Sequence, residues 1–379
     1  MEHQSLVLYR LYRPQKFADF VNQEAVKRTL QNAILQDRIS HAYLFAGTRG
    51  TGKTTMARLF AKTVNCANPK KTKTSIEPCG QCPSCLDIEH GKSLDLIEID
   101  AASNRGIDEI RELKEGIKFA PIKARYKVFI IDEVHMLTTP AFNALLKTLE
   151  EPPEHALFVL ATTDAEKLPA TILSRVQRFD FKRLSGQDIA KKLKDIAEKE
   201  HIDIEPQAIM LLSRLADGSI RDAESLLSQL VAFSADKKIT LDEVEQVIGA
   251  LRFEKIQTFL FDLARQDSRA AIVYINKAQN QGLSVYEVAR LATTLLEKIL
   301  VVKMDASYAQ DLKKEFSDEE TQTLIELAGT FDLKALRILI REFLNAVPQT
   351  KRSMLPVRWN SICRVGGRLS GCSRAARSA

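Results

Sequence analysis

The chain has 379 residues, 45% of them hydrophobic, and a formal charge of +6. That length suggests two or three domains. The absence of any run of about 18 apolar residues argues against a membrane span, and Met1-Glu-His-Gln-Ser-Leu6 lacks the basic-then-apolar order of a secretory signal, so a cytoplasmic location is expected. Five arginines beyond Val357 carry most of the charge and leave residues 1–356 at +1; bulk charge therefore excludes a generally basic nucleic-acid binder, and any such site must be a local patch.

In chain order, His41-Ala-Tyr-Leu-Phe-Ala46 is a short apolar run suited to a buried parallel strand. It leads into Gly47-Thr-Arg-Gly-Thr-Gly-Lys-Thr54, which satisfies G-x-x-x-x-G-K-[ST]. Glycines let the backbone turn so that successive N–H groups face phosphate oxygens. Lys53 suits the β- and γ-phosphates, and the Thr54 hydroxyl suits Mg²⁺. Thr54 to Val64 reads as a helix, with Met56, Phe60 and Val64 on one face, and its N-terminus adds positive partial charge at the loop. Strand, loop and helix together make a chance glycine-rich turn the poorer reading.

Four of the six cysteines cluster: Cys66, Cys79, Cys82 and Cys85. Four thiolates can surround one Zn²⁺, and a two-residue gap lets neighbouring sulfurs face one metal. Disulfides or free thiols are the competing reading, disfavoured inside the cell. Four sulfurs leave no open coordination position, so the site is expected to be structural, in a small lobe at about 64–90 inserted after the loop helix. Asn68 to Thr74 is expected to be its exposed loop.

Leu94 to Asp100 is a second strand candidate, and Gly106 to Phe119 a helix. Lys127-Val-Phe-Ile-Ile-Asp132-Glu133 is a buried strand closing on two carboxylates. Strand ends in open α/β sheets point into the ligand crevice; Asp132 suits Mg²⁺ ligation and Glu133 suits polarising an attacking water. His135 suits packing or hydrogen bonding. Ala156 to Thr162 is a fourth strand, ending at Thr162-Thr163-Asp164, where a polar tip can hold water. Gln177 to Phe181 is a fifth. Strand–helix alternation over residues 1–180 predicts a parallel α/β layer.

From Ser185 the pattern turns wholly helical. Helices are expected to open at Ser185–Asp188, at Glu205, at Ser219–Asp222 and at Thr240–Glu243. Arg221 falls in a first helical turn, where a cation opposes the helix dipole. A nearby anion would remove that conflict; a solvated arginine beside Asp222 is the alternative. Residues 254–347 add amphipathic helices without evident strands, such as Leu333 to Val347. Residues 357–379 are Gly-, Ser- and Arg-rich without acid and are expected to be disordered; such a tail could touch DNA or carry no function.

An ordered set of segments then carries a resemblance: Tyr9-Arg-Leu-Tyr-Arg-Pro14, His41 to Phe45, the phosphate loop, the four cysteines, Asp100-Ala-Ala-Ser-Asn-Arg105, Asp132-Glu-Val-His135, Asn143 to Pro153, Leu160 to Asp164, Leu173-Ser-Arg175 and Gly218-Ser-Ile-Arg-Asp222. Over residues 5 to about 355 the chain resembles the tau/gamma family of bacterial DNA polymerase III clamp-loader subunits, which are AAA+ ATPases. The resemblance implies an α/β P-loop (AAA+) domain over 1–180 with a zinc-binding insertion, a helical lid over 181–243 and a helical collar over 244–356 that holds a pentamer together. It implies ATP, Mg²⁺ and Zn²⁺ as ligands. ATP would contact Gly47, Thr48, Arg49, Gly50, Thr51, Gly52, Lys53, Thr54 and Thr55, with Tyr9, Arg10, Pro14 and Val21 at the adenine. Thr163 matches the sensor-1 position, Arg175 the arginine finger acting in trans, and Arg221 sensor 2. Implied partners are delta and delta-prime subunits, the beta sliding clamp, primer–template DNA and further copies of this chain. Rival readings are another AAA+ motor, such as a branch-migration helicase, or a non-catalytic clamp-loader subunit. Three departures stand out: Val176 where the family has Cys, Asn22 where it often has Gly, and no match after Pro356.

Overall fold

In the computed structural model the described residues are 8–104, 106, 113, 115–234, 238–248, 253–280, 285–313 and 316–350. The expected tail at 357–379 lies outside them, as do Arg105 and much of the helix expected at 106–119. These residues form two compact units, one comprising residues up to Ile196 with Ala216–Ser228, the other Ala197–Leu215 with the chain from Gln229 onward. Among the described residues no helix is long and apolar enough to cross a membrane.

The first unit is built on five parallel strands: β1 (Ala42–Gly47), β2 (Leu96–Asp100), β3 (Lys127–Asp132), β4 (Ala156–Thr162) and β5 (Gln177–Phe181). Their order is β2-β3-β4-β1-β5, every neighbouring pair parallel. The expected second strand begins at Leu96 and not Leu94; Leu94 is exposed, and the Asp95 side chain accepts the N–H groups of Ile122, Lys123 and Ala124 at 2.7–2.9 Å while its carbonyl still accepts from Val128.

The continuous apolar runs follow from burial on both faces. Leu44, Phe129, Ile131, Phe158 and Leu160 point to one side, under α4 (Thr139–Glu150). Tyr43, Phe45, Val128, Ile130 and Val159 point to the other, under α1 (Glu24–Leu35) and α2 (Lys53–Val64). Phe129 and Phe158 stack with centroids 5.3 Å apart across β3 and β4, and Tyr43 meets Phe60 edge-on at 4.9 Å.

Between α2 and β2 lies the cysteine-bearing lobe. The stretch expected as a plain loop is a hairpin: Lys70–Lys71 pairs antiparallel with Ile76–Glu77. α3 (Pro83–Glu89) follows. The lobe is tied down by polar bonds, since Glu77 accepts the N–H of Phe17 at 2.7 Å and of Ala18 at 3.0 Å.

Downstream helices are α5 (Gly186–Glu200), α6 (Pro206–Leu215), α7 (Ile220–Phe233) and α8 (Leu241–Ile248). Their starts follow the sequence signals: the N–H of Asp188 donates to Ser185 Oγ at 3.1 Å, that of Asp222 to Ser219 Oγ at 3.2 Å, and Thr240 and Glu243 cap each other reciprocally. The expectation of a wholly helical remainder needs one correction. Asp203–Ile204 and Lys238–Ile239 form a two-residue parallel ladder, too short to show any alternation in sequence. The second unit continues with α9 (Phe253–Ala264), α10 (Ser268–Asn280), α11 (Val285–Met304), α12 (Asp318–Thr330) and α13 (Leu333–Thr350). They share one core around Phe259, Leu296, Leu327, Leu336 and Phe343, and a capping box at Ser317 and Glu320 starts α12.

Phe129 is fully buried in the sheet core. Phe129→Ala is expected to lower unfolding stability by about 3–5 kcal/mol, to be read from denaturant melts against the unaltered chain.

Candidate nucleotide-binding site

Parallel strands present their C-terminal ends at one edge, and the site is assembled there. β1 delivers the phosphate loop, β3 delivers Asp132 and Glu133, and β4 delivers Thr163. The loop is crowded from behind. A Cβ on Gly50, whose φ is +76°, would meet Ser219 Oγ at 1.8 Å, and the N–H of Ile220 donates to Gly50 O at 3.2 Å. α7 therefore begins against the loop.

A cavity opens in front of it, lined by Arg49, Gly50, Thr51, Gly52, Lys53, Thr54 and Thr55, by Asp132 and Glu133, by Tyr9, Pro14 and Val21, and by Arg221. Lys53 Nζ donates to the carbonyls of Gly47 at 2.8 Å and Thr48 at 2.9 Å. Burial pulls its pKa down, against the opposing pull of the Glu133 and Asp132 carboxylates. Thr54 Oγ1 donates to Asp132 Oδ2 at 2.7 Å, joining the two residues expected to share a divalent cation. Glu133 adopts φ 47°, a left-handed conformation for a non-glycine residue. Its Oε2 accepts from the Thr163 hydroxyl at 2.8 Å and the Thr163 N–H at 3.1 Å. His135 Nδ1 lies 2.9 Å from Thr162 Oγ1, in a hydrogen-bonding role.

Some expected contacts do not line the cavity: Gly47 and Thr48 give their carbonyls to Lys53 instead, and Arg175, expected to act in trans, lies apart from it. Arg10 does not line this cavity; it borders an adjoining basic hollow with Arg13, Arg58, Lys62 and His90. Arg175 donates to Glu150 Oε1 at 2.8 Å and to Thr171 O at 2.8 Å, beside Ser40 and His41. Gln177 pairs with Tyr43 at the start of β1, so Arg175 and the phosphate loop stand at opposite ends of that strand, about 17–20 Å apart.

The four cysteine Sγ atoms lie within 4.8 Å of one another. Tetrahedral Zn²⁺ with bonds of about 2.3 Å places its sulfurs about 3.8 Å apart, and Cys79 and Cys85 are at 3.9 Å. Backbone N–H groups of Gln81 and Cys82 point at Cys79 Sγ and draw its pKa down to about 6, while burial pushes Cys85 up. The cluster suits a Cys₄ metal site.

This chain is 48% identical over 275 residues to DNA polymerase III subunit tau of Bacillus subtilis, covering 73% of this chain and 48% of that protein. It is 41% identical over 344 residues to subunit tau of Escherichia coli, covering 91% and 50%. It is 43% identical over 283 residues to DNA polymerase III subunit gamma of Buchnera aphidicola, covering 74% of this chain and 77% of that one. The chain belongs to the bacterial DNA polymerase III tau/gamma family. Family profiles described as DNA polymerase III, delta subunit, and as DNA polymerase III clamp loader subunit, ATPase lid domain, match residues 22–185 and 188–236. The chain spans about half the length of the Bacillus and Escherichia tau relatives.

Two departures from the family pattern have structural accounts. Asn22 sits at φ 59°, a conformation asparagine tolerates better than other non-glycine residues, and Gln23 behind it brackets Lys182 through two hydrogen bonds. Val176 packs against the sheet core, a role in which an apolar residue replaces cysteine readily.

Sequence reasoning missed two charged residues that line the cavity, Lys192 and Glu224; Arg13, which also lines it, lies within the Tyr9–Pro14 segment that carries the resemblance. Glu224 follows Arg221 by three residues and so shares its helical face, a signal that was available. Lys192 lies on the polar side of α5, and only the tertiary fold brings it here. Burial raises the Glu224 pKa from 4.5 to about 7, opposed by Lys192 and Arg13. A carboxyl whose folded pKa is raised lowers net stability as pH rises from 4.5 to 7, and the penalty is complete above that. Glu224→Gln is therefore expected to stabilise the protein at pH 8 by up to about 3 kcal/mol, with the gain vanishing near pH 4.5, as followed by thermal melts across that range.

Proposed function

We propose that this chain binds and hydrolyses ATP as the AAA+ motor subunit of a DNA polymerase III clamp loader, within the polymerase holoenzyme. The observation that carries the reading is the convergence of Lys53, Thr54, Asp132 and Glu133 at the ends of adjacent parallel strands. In this reading the loop N–H groups and Lys53 hold the phosphates, and Thr54 and Asp132 would hold Mg²⁺, which would offset phosphate charge. Glu133 takes a hydrogen bond from the attacking water and orients it for in-line displacement, with Thr163 holding the carboxylate in place. Arg221, in the first turn of α7, faces the γ-phosphate, which resolves its conflict with the helix dipole.

The position of Arg175 supports a composite site. About a strand length from its own phosphate loop, it cannot reach the nucleotide held there. It suits a finger presented to the nucleotide of a neighbouring copy, so that an isolated chain binds ATP but turns it over slowly. Assembly with delta and delta-prime subunits and further copies, through the helices of residues 244–350, would complete these sites. Work on the sliding clamp and primer–template DNA follows from that assembly. DNA contacts made through backbone phosphates would be sequence-tolerant and weaken with salt. The intact Lys53, Thr54, Asp132 and Glu133 argue against a non-catalytic subunit.

An arginine finger contributes about 10³–10⁵ in rate. Arg175→Ala is expected to lose DNA-stimulated ATP turnover by at least about 10³-fold in the assembled loader while retaining ATP binding; unchanged turnover overturns the assignment.

The Cys₄ lobe is proposed to hold one structural Zn²⁺. Elemental analysis of purified protein is expected to give one zinc per chain. Cys85→Ser should lose most of that zinc and lower the melting temperature, whereas a metal-free wild-type protein of equal stability would argue for free thiols.

A further inference from the structure

Glu224 is 6% exposed, yet among the described residues no hydrogen bond or ion pair reaches its carboxyl. It lines the nucleotide cavity. A carboxyl in that setting faces the cavity with little access to water and no partner, an arrangement that a donor on a ligand would complete.

The geometry separates this carboxyl from the phosphate end. The N–H of Ile220 donates to Gly50 O at 3.2 Å, which pins the start of α7 to the phosphate loop. Glu224 lies four residues further along that helix, about 6 Å away along its axis. Arg221 lies between them, with its guanidinium 5.0 Å from the Tyr9 ring centroid. A carboxylate against the phosphates would be repelled, so its complement is the other end of the nucleotide. Apolar side chains that suit a flat heteroaromatic ring also line the cavity, among them Pro14, Val21 and Leu184. Charged groups facing Glu224 are Lys192 of α5 and Arg13 of the N-terminal segment; Arg221 of its own helix and the Tyr9 phenol line the same cavity. Lys192 and Arg13 favour the ionised carboxylate, while burial holds its pKa at about 7, so it is poised to accept.

We propose that Glu224 is a specificity-determining residue for the nucleoside, its carboxyl accepting a hydrogen bond from an N–H or O–H donor there, either the exocyclic amino group of the base or a ribose hydroxyl. This rests on the nucleotide-binding reading above and deepens it.

The test is equilibrium binding of the full chain with Mg²⁺ to ATP, purine riboside triphosphate (which lacks the amino group), 2′-deoxy-ATP and 3′-deoxy-ATP. Hydrogen bonds to charged groups contribute about 1.5–3 kcal/mol; the analogue lacking the paired donor should bind about 10- to 100-fold more weakly. A weak purine analogue assigns the amino group, and a weak deoxy analogue assigns that hydroxyl. Glu224→Leu should bring all four ligands to within about threefold of each other, and Glu224→Gln, which keeps an acceptor, should restore part of the preference. Equal affinities of the wild-type chain for all four ligands overturn the inference without recourse to any variant. A preference that Glu224→Leu leaves intact also overturns it. If the wild-type chain binds none of the four, the nucleotide-site reading itself fails, which separates the two failures.

Discussion

The strand β1 is the constraint from which the first unit is built. It is hydrogen-bonded to β4 on one side and β5 on the other, and its residues Ala42 to Ala46 are buried. A strand held in four directions cannot tilt or slip, and a one-residue slip would exchange its two faces. Its C-terminal end is therefore a fixed point, and the phosphate loop inherits that rigidity. Because the strands are parallel, the ends of β3 and β4 arrive at the same edge, and Asp132, Glu133 and Thr163 come with them. Thr54 reaching Asp132 at 2.7 Å is a consequence of that alignment.

The same parallel arrangement explains why one expected site residue is remote. Arg175 precedes β5, so it sits at the opening end of the sheet, while the phosphate loop follows β1 and sits at the closing end. Both positions are dictated by strand direction. On the proposed reading, a residue placed this way would serve the nucleotide of a neighbouring copy and would make turnover depend on assembly.

Much of this was legible in the sequence. The inner strands β1, β3 and β4 are marked by apolar runs because both faces are buried, the edge strands β2 and β5 carry polar residues among their apolar ones, and several helix starts are marked by Ser or Thr with an acidic partner three residues on. The phosphate loop and the C-x-x-C-x-x-C run are local patterns whose chemistry depends on short-range geometry. Less legible were features that depend on long-range pairing. The two-residue ladder between Asp203–Ile204 and Lys238–Ile239 is too short for periodicity, and the hairpin at Lys70–Glu77 carries lysines that read as loop. Asp95 shows the same limit: its carboxylate caps three backbone N–H groups around Lys123, a contact between segments distant in sequence.

The sequence by itself determined which residues could do chemistry: Lys53, Thr54, Asp132, Glu133 and the four cysteines, since each is defined by residue type within a few positions of its neighbours. The tertiary structure decided what surrounds them. It placed Arg13, Lys192 and Glu224 around the cavity from three separate segments, turned Glu133 onto Thr163, and set Arg175 a strand length away. The physical reason is that local motifs are fixed by backbone turns and side-chain reach, whereas burial, charge environment and strand-end position arise only when distant segments pack. Glu224 shows the difference most clearly: in sequence it is one more acid on an amphipathic helix, and in the fold it is a buried carboxyl facing a nucleotide cavity.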